Sequence, residues 1–307
     1  MGTLPSVLEN GTYDCIVVGD GVAGLSAALY LGRARRPTLV LGAGEPRNAV
    51  ALKMHGFLSR EGITPHELLE IARAQIEAYP DVVFERERIV AAETDGRGFR
   101  LRGESGKVFA SARLLLATGV RDVLPEIDGI ANLWGSRLFT CPYCDGWEFR
   151  DRPLAIVGRG CEAISLAREM LRWSKRLTVV ATDGTGPAAE DRAWFALHRP
   201  PVITSPLARF REATDGVALD FGDGGAIEVA AVFFSAPLRQ RSGLPAALGC
   251  ELDAEGRIVV DDCGRTNVPN CYAAGDAANH RHQVVLAAAG GAAAAMAINE
   301  DLIERER

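Results

Sequence analysis

Cys141-Pro142-Tyr143-Cys144-Asp145-Gly146 is the segment of the 307-residue chain best equipped for chemistry. Two cysteines separated by two residues at the start of a helix can close a small disulfide ring. The thiolate is the reactive form, and helix N-terminal N–H groups favour it. Exchange with another disulfide needs one exposed attacking sulfur and one resolving sulfur. Other uses of the pair are weaker. Zinc normally takes four ligands, often from two such pairs, and Cys250, Cys263 and Cys271 supply no second pair. No metal is expected. A purely structural disulfide suits an oxidising compartment, whereas seven scattered cysteines, an odd number, point to a reducing one.

Elements that could position such a pair lie on both sides of it. Tyr13 to Val18 is a short apolar, β-branched run that reads as a buried strand. Gly19-Asp20-Gly21-Val22-Ala23-Gly24 follows, then helical spacing from Leu25 to Gly32 and a second strand from Pro37 to Leu41. In such a βαβ unit the glycines permit a tight turn, close approach to a pyrophosphate and close helix-on-strand contact. The helix N-terminus offers unpaired N–H groups to the phosphate charge. The acid that usually ends the second strand and binds ribose is replaced by Gly42, with Glu45 as the nearest substitute.

The same grammar recurs in the middle of the chain. Leu154 to Val157 leads into Gly158-Arg159-Gly160-Cys161-Glu162-Ala163, a helix to about Trp173 and a strand at Leu177 to Ala181. Two such units imply two dinucleotide sites, or one site and a relic. Leu114 to Gly119 and Cys271 to Asp276 are further strands ending in small-residue turns. Asp276 could accept hydrogen bonds from a sugar-alcohol chain. The segment from Gln283 to Ile298 reads as a helix whose N-terminus could face a ring carrying negative charge.

Composition narrows the setting. At roughly 150 residues per domain the length suggests two domains, and 48% hydrophobic with 24% charged residues is ordinary for a globular chain. Thirty-three glycines exceed the usual share of roughly 7%, and many fall in the turns above. A formal charge of −6 without a Lys/Arg-rich run argues against nucleic acid as the main partner. Met1 to Asn10 lacks a basic-then-apolar leader, and Val284 to Ile298 falls short of the roughly 20 residues of a membrane span. A cytoplasmic protein without a membrane partner is expected.

In order, GDGVAG, LLLATG, CPYC-DG, GRGCEA and AAGD resemble the low-molecular-weight thioredoxin reductases and their relatives over nearly the whole chain. The Pro-Tyr dipeptide also occurs in glutaredoxins, but the flanking nucleotide-binding units do not fit that small domain. The resemblance implies an α/β fold of two Rossmann-like FAD/NAD(P)-binding domains, the second inserted in the first. FAD would occupy residues 1–122 and 242–307, and residues 123–241 would form the inserted domain that carries the cysteines. FAD contacts carried over are Gly19, Gly21, Ala23 and Gly24 at the pyrophosphate, Gly119, Gly275 and Asp276 at other turns, and Gln283 with Val284 at the flavin-facing helix. Asn48 and His55 align by spacing alone, and His55 is as readily a plain histidine. By the same resemblance Cys141 faces the substrate, Cys144 faces the flavin, and Asp145 moves the proton to or from the leaving thiol. An aspartate suits that task if burial raises its pKa towards neutrality. A homodimer is the family expectation.

One stretch departs from the thioredoxin reductase pattern. There the strand after the central glycine turn ends in a basic cluster that holds the 2′-phosphate of NADPH. Here Val179-Val180-Ala181 is followed by Thr182 and Asp183. A carboxylate repels phosphate, and no guanidinium offers bidentate pairing, so NAD(P)H is doubtful as a cofactor, with NADH left open because Asp183 can bind a ribose hydroxyl. Relatives that lack the cluster include the gliotoxin- and holomycin-type dithiol oxidases, which pass electrons from a small-molecule dithiol through FAD to O2 and release H2O2. Pro142-Tyr143 and Gly146-Trp147-Glu148 look more like that branch, whereas Asp145 is the thioredoxin reductase residue. The expectation leans to the oxidase. A reductase of a thioredoxin-like protein driven by NAD(P)H or ferredoxin is the alternative, and a non-catalytic flavin redox sensor is the alternative of another class.

Overall fold

The computed structural model describes residues 12–185 and 191–306. The N-terminal stretch read above for a leader lies outside the described residues, as does the side chain of Cys161. Strands β1 (Thr12–Val18), β2 (Thr38–Gly42), β3 (Val82–Arg86), β4 (Ile89–Thr94), β5 (Phe99–Gly103), β6 (Val108–Leu116) and β7 (Val120–Asp122) precede the cysteine pair. Around and after it come β8 (Leu138–Phe139), β9 (Leu154–Gly158), β10 (Leu177–Ala181), β11 (Val202–Ile203), β12 (Leu207–Ala213), β13 (Gly216–Phe221), β14 (Ala226–Val229) and β15 (Ala231–Phe234). Strands β16 (Leu238–Gln240) and β17 (Cys271–Ala273) follow. The helices are α1 (Val22–Arg33), α2 (Pro65–Ile76), α3 (Ile130–Leu133), α4 (Pro142–Asp145), α5 (Gly160–Met170), α6 (Arg192–His198), α7 (Leu244–Ala247) and α8 (Val284–Arg305).

The chain forms two compact units. The first takes the described residues up to Ala49, Phe57–Arg121 and those from Leu238 onward; the second takes Val50–Gly56 and the described part of Asp122–Pro237. Strands β7 and β16 pair as a two-stranded ribbon where the chain leaves and re-enters the first unit. The fold class expected from the sequence is the one found: α/β, with one Rossmann-like unit inserted in another.

In the first unit the sheet runs β3-β2-β1-β6-β5-β4, with β17 also on β6. Strand β6 serves two neighbours on one edge. Its Val108–Ser111 half pairs antiparallel with β5 and its Leu114–Leu116 half pairs parallel with β17. Cys15, Ile16 and Val17 of β1 are wholly buried, because helices and connections cover both faces of a parallel strand. The aliphatic side chains of Ile16 and Val17 each contribute about 1.5–3 kcal/mol of burial.

Helix α8 is, by length and composition, long and apolar enough to cross a membrane, since it continues to Arg305 beyond the apolar stretch read from the sequence. Its small face packs within the first unit. Gly291, Ala294, Ala295, Ala297 and Ile298 are buried, and a Cβ on Gly291 would stand 2.0 Å from the Ala23 carbonyl oxygen of α1. The glycine and alanines let two helices approach backbone to backbone, as in a protein core.

In the second unit a parallel sheet ordered β11-β10-β9-β15-β8 is joined by an antiparallel sheet β12-β13-β14. Phe139 packs on Phe149 and Phe233 with ring centroids 5.3 and 5.6 Å apart. This anchors β8 and the segment after α4, the two ends from which the cysteine pair hangs.

Candidate functional site

The first glycine turn is shaped for a dinucleotide. Gly19 sits at φ +115°, and a Cβ there would stand 2.1 Å from the Ala117 carbonyl oxygen. A Cβ on Gly24 would stand 1.8 Å from the Gly19 carbonyl oxygen. Gly21 is the N-cap of α1, and among the described residues nothing lies within 4 Å of the Cβ position it lacks. No side chain caps α1 and no acid lies in its first turn, again among the described residues. Its first N–H groups and positive dipole end therefore lack a capping side chain among the described residues. Thr118 Oγ1, on the turn beside Gly19, is buried without a hydrogen-bond partner among the described residues. Uncapped donors, absent side chains and an orphaned hydroxyl fit a pyrophosphate-bearing cofactor at this turn.

The other residues expected to touch the cofactor, His55 apart, are spread around the first unit. Ala23 is buried in the first turn of α1, and Gly119 and Gly275 both adopt left-handed backbone, at φ +64° and +73°. Asp276 pairs with Arg47, Oδ2 to Nη1 at 3.3 Å. Asn48 lies half-buried in the helical turn Arg47–Val50. Gln283 is the N-cap of α8 and Val284 its first residue. Glu45 is mostly exposed and lies 3.5 Å from His66 Nε2.

Gly42 holds a feature that the sequence reading missed. A Cβ built on it would stand 1.9 Å from Asp20 Cγ, so the Asp20 carboxylate occupies the space at the end of β2. Arg73 of α2 forms an ion pair with it. The Thr64 hydroxyl caps α2 by accepting from the Glu67 N–H at 3.1 Å, and Pro65 starts the helix, which sets the rotation of α2 that carries Arg73.

In the second unit Cys141 and Cys144 form a disulfide with Cα atoms 5.2 Å apart. Cys141 is the N-cap of the short helix α4, and the Cys144 N–H donates to its Sγ at 3.1 Å. That N–H stabilises negative charge on Cys141 once the bond opens. Tyr143 and Trp147 are exposed on either side of Cys144. Tyr143 meets Trp173 edge-on at 5.4 Å, and the Arg150 guanidinium lies 4.2 Å from the Trp147 ring centroid.

Asp145 ends α4. Burial pushes its carboxyl up to about 7, the charge of Glu148 adds to the rise, and His55 opposes it. His55 lies in the Val50–Gly56 segment of this second unit, with Nε2 3.5 Å from Glu148 Oε1. The structure thus gathers Asp145, Glu148 and His55 into one electrostatic group. Glu148 carried no sequence signal as a partner of Asp145, although its spacing of three along a helical path could have suggested proximity.

The second glycine turn differs from the first. Gly158 tolerates a Cβ at ordinary contact, 3.5 Å from Ala163. Gly160 opens α5, and its N–H donates to the Asp183 carboxylate at 3.3 and 3.2 Å. The Thr185 hydroxyl donates to the same carboxylate at 2.6 Å. These donors, Thr185 foremost, hold the Asp183 carboxyl below its ordinary range. Glu162 adds an acid within the first turn of α5.

The model of the pyridine nucleotide-disulphide oxidoreductase family matches residues 13–292, and the chain belongs to that family. It is similar to the thioredoxin reductase tcpT of Claviceps purpurea, 33% identical over 275 residues that cover 86% of each chain. Among solved structures it is similar to HlmI, with a TM-score of 0.91 and 35% identity over 97% of this chain and 95% of that one. An oxidoreductase from Agrobacterium tumefaciens gives a TM-score of 0.90 and 34% identity over 95% of this chain and 99% of that one. The family uses FAD, and the chain is a thioredoxin reductase-like disulfide oxidoreductase of the kind the sequence motifs resemble.

Proposed function

We propose that this flavoprotein is a dithiol oxidase, which closes a disulfide in a small molecule and uses O2 as the electron acceptor. The observation that carries this reading is Asp183. Its carboxylate takes the Gly160 N–H that a pyridine nucleotide's pyrophosphate would need. With Thr182 it also stands where a 2′-phosphate would need a cation. The exposed rings of Tyr143 and Trp147 beside the pair suit a compact apolar dithiol.

In the first step a substrate thiolate attacks Cys141 Sγ. The Cys141–Cys144 bond breaks, a mixed disulfide forms, and Cys144 leaves as the thiolate. The second substrate sulfur then attacks the first, which closes the substrate disulfide and expels Cys141 as a thiolate beside the Cys144 N–H. Asp145, with a carboxyl near neutrality, can give a proton to the departing thiolate and take it back. The first glycine turn, Gly19 to Gly24, would hold FAD, which would supply the two-electron chemistry between the enzyme dithiol and O2, with the two thiol protons leaving in H2O2. The reaction is proposed to occur in the cytoplasm and in a homodimer.

Anaerobic mixing separates the readings. Dithiol is expected to bleach the flavin absorbance and NADPH to leave it unchanged, with peroxide released when air is admitted. Replacing Cys144 by serine should abolish bleaching by dithiol. Rapid bleaching of the wild type by NADPH would overturn the oxidase in favour of a thioredoxin reductase, a reading that Asp145 favours by its residue type.

A further inference from the structure

The acid that reads ribose in a strand–turn–helix dinucleotide site normally stands about 20 residues past the glycine turn, at the end of the second strand. This chain has Gly42 there. The place is nonetheless filled by a carboxylate. A side chain starting from Gly42 would begin 1.9 Å from Asp20 Cγ and 2.2 and 2.3 Å from its two oxygens. The register explains the approach: Val18 lies opposite Leu41, so the residues that follow β1 run alongside the end of β2.

The two positions are therefore reciprocal. Asp20 can lie here because residue 42 lacks a side chain, and an acid at residue 42 would collide with Asp20. Electrostatics set the direction in which Asp20 points. A carboxylate aimed into a turn that receives pyrophosphate would repel it. Arg73 draws Asp20 aside and balances its charge. One guanidinium contact leaves acceptor capacity on a carboxylate, which can take about four hydrogen bonds. Glu45, the substitute suggested by chain order, lies mostly in solvent beside His66.

We infer that Asp20 is the ribose-binding acid of the flavin site: the function of an acid on β2 has moved to the second position of the glycine turn. Its carboxylate accepts hydrogen bonds from the adenosine ribose hydroxyls of FAD, and Gly42 is the room that permits it. This assignment holds for either electron acceptor, so its failure and that of the oxidase reading are separable.

Flavin binding by the full-length chain tests it without reference to turnover. After flavin removal, the chain is titrated with FAD and with FMN, which lacks the adenosine half, and fluorescence is followed. Asp20→Ala should weaken FAD roughly 10- to 100-fold, the worth of a charged hydrogen bond, and leave FMN unchanged. Gly42→Glu alone should also weaken FAD, because two carboxylates then share one place. The exchange Asp20→Gly with Gly42→Glu should recover most of the FAD affinity. If FMN and FAD weaken alike in Asp20→Ala, or if the exchange binds FAD no better than Asp20→Gly alone, Asp20 only ties the turn to α2 and the inference is wrong.

Discussion

The two glycine turns share one backbone plan, yet among the described residues a carboxylate sits on the first helical N–H of one and not of the other. Each follows a buried parallel strand and starts a helix, and each has an aspartate within reach. Beside α1 the Asp20 carboxylate is turned to Gly42 and Arg73, and no side chain among the described residues caps the helix. Beside α5 the Asp183 carboxylate lies on the Gly160 N–H, and Glu162 places a further negative group in the first turn. A glycine motif therefore gives the path of the backbone. The direction of the nearest carboxylate decides whether that path is available to an anion.

The largest expected effect comes from adding one methyl group to each turn. Gly24→Ala puts a Cβ 1.8 Å from the Gly19 carbonyl oxygen, and relief requires backbone movement in the flavin turn. FAD affinity should fall about 100-fold or more, the upper range for overpacking. Gly158→Ala meets only an ordinary 3.5 Å contact with Ala163, so flavin content should hold and Tm should move by less than about 2 °C. Flavin absorbance per chain and a thermal melt read both. Equal flavin loss in the two variants would erase the distinction between the turns.

A smaller effect should follow from converting the second turn towards the first. Asp183→Ala removes the carboxylate from Gly160, and Thr182→Arg in the same chain supplies a guanidinium for a 2′-phosphate. Affinity for NADPH should rise about tenfold or more over the wild type, in line with a bidentate charged pair. Nucleotide titration by calorimetry measures it. No gain in the double variant would mean that Asp183 is not what closes this turn.

The extent to which these features could be read from the sequence follows from their range along the chain. Strand β1, the Gly19–Gly24 turn and the Cys141–Cys144 pair are local patterns, with information in neighbours one to four residues apart. The recurrence of the strand–glycine-turn–helix pattern at Leu154 to Ala163 points to two Rossmann-like units, and the insertion of one in the other comes from the family resemblance. Asp20 at Gly42 depends on the β1–β2 register, and Asp183 at Gly160 joins residues 23 positions apart. The pairing of His55 with Glu148, and its pull on Asp145, join residues some ninety positions apart that spacing alone does not connect. Helix α8 runs on past the apolar stretch that ends at Ile298, because its charged last turns still bury Leu302. Side-chain direction and long-range pairing hold this information, and neither is visible in a run of residue types.

Asp145 sharpens the contrast from a third environment, because burial, and not a cation or N–H donors, dominates its titration. Its folded pKa of about 7 lies above the ordinary 3.8. Between those values the folded chain holds a proton that the unfolded chain has released. The stabilising contribution is therefore full below about pH 4 and is lost as pH rises through about 7. Asp145→Asn removes this titration, so its Tm should gain on the wild type by a few °C between pH 5 and pH 8. Parallel melts at the two pH values check the sign. A Tm difference that stays constant with pH would show that Asp145 titrates normally.

The smallest effect expected is at Arg73, whose side chain is 40% exposed where it pairs with Asp20. Exposed ion pairs contribute little, roughly 0.2–1 kcal/mol, so Arg73→Ala should leave the first unit folded. What it changes is where the Asp20 carboxylate can go. Released from Arg73, it can swing towards the N-terminus of α1, where it meets the same donors that a pyrophosphate needs, as Asp183 does beside α5. FAD affinity should then drop about two- to fivefold at low salt, and the loss should shrink as added salt screens the repulsion. Fluorescence titration at two ionic strengths measures both. An affinity unchanged at low salt would mean that the room at Gly42 holds Asp20 aside without help, and that packing, not charge, keeps the first turn open.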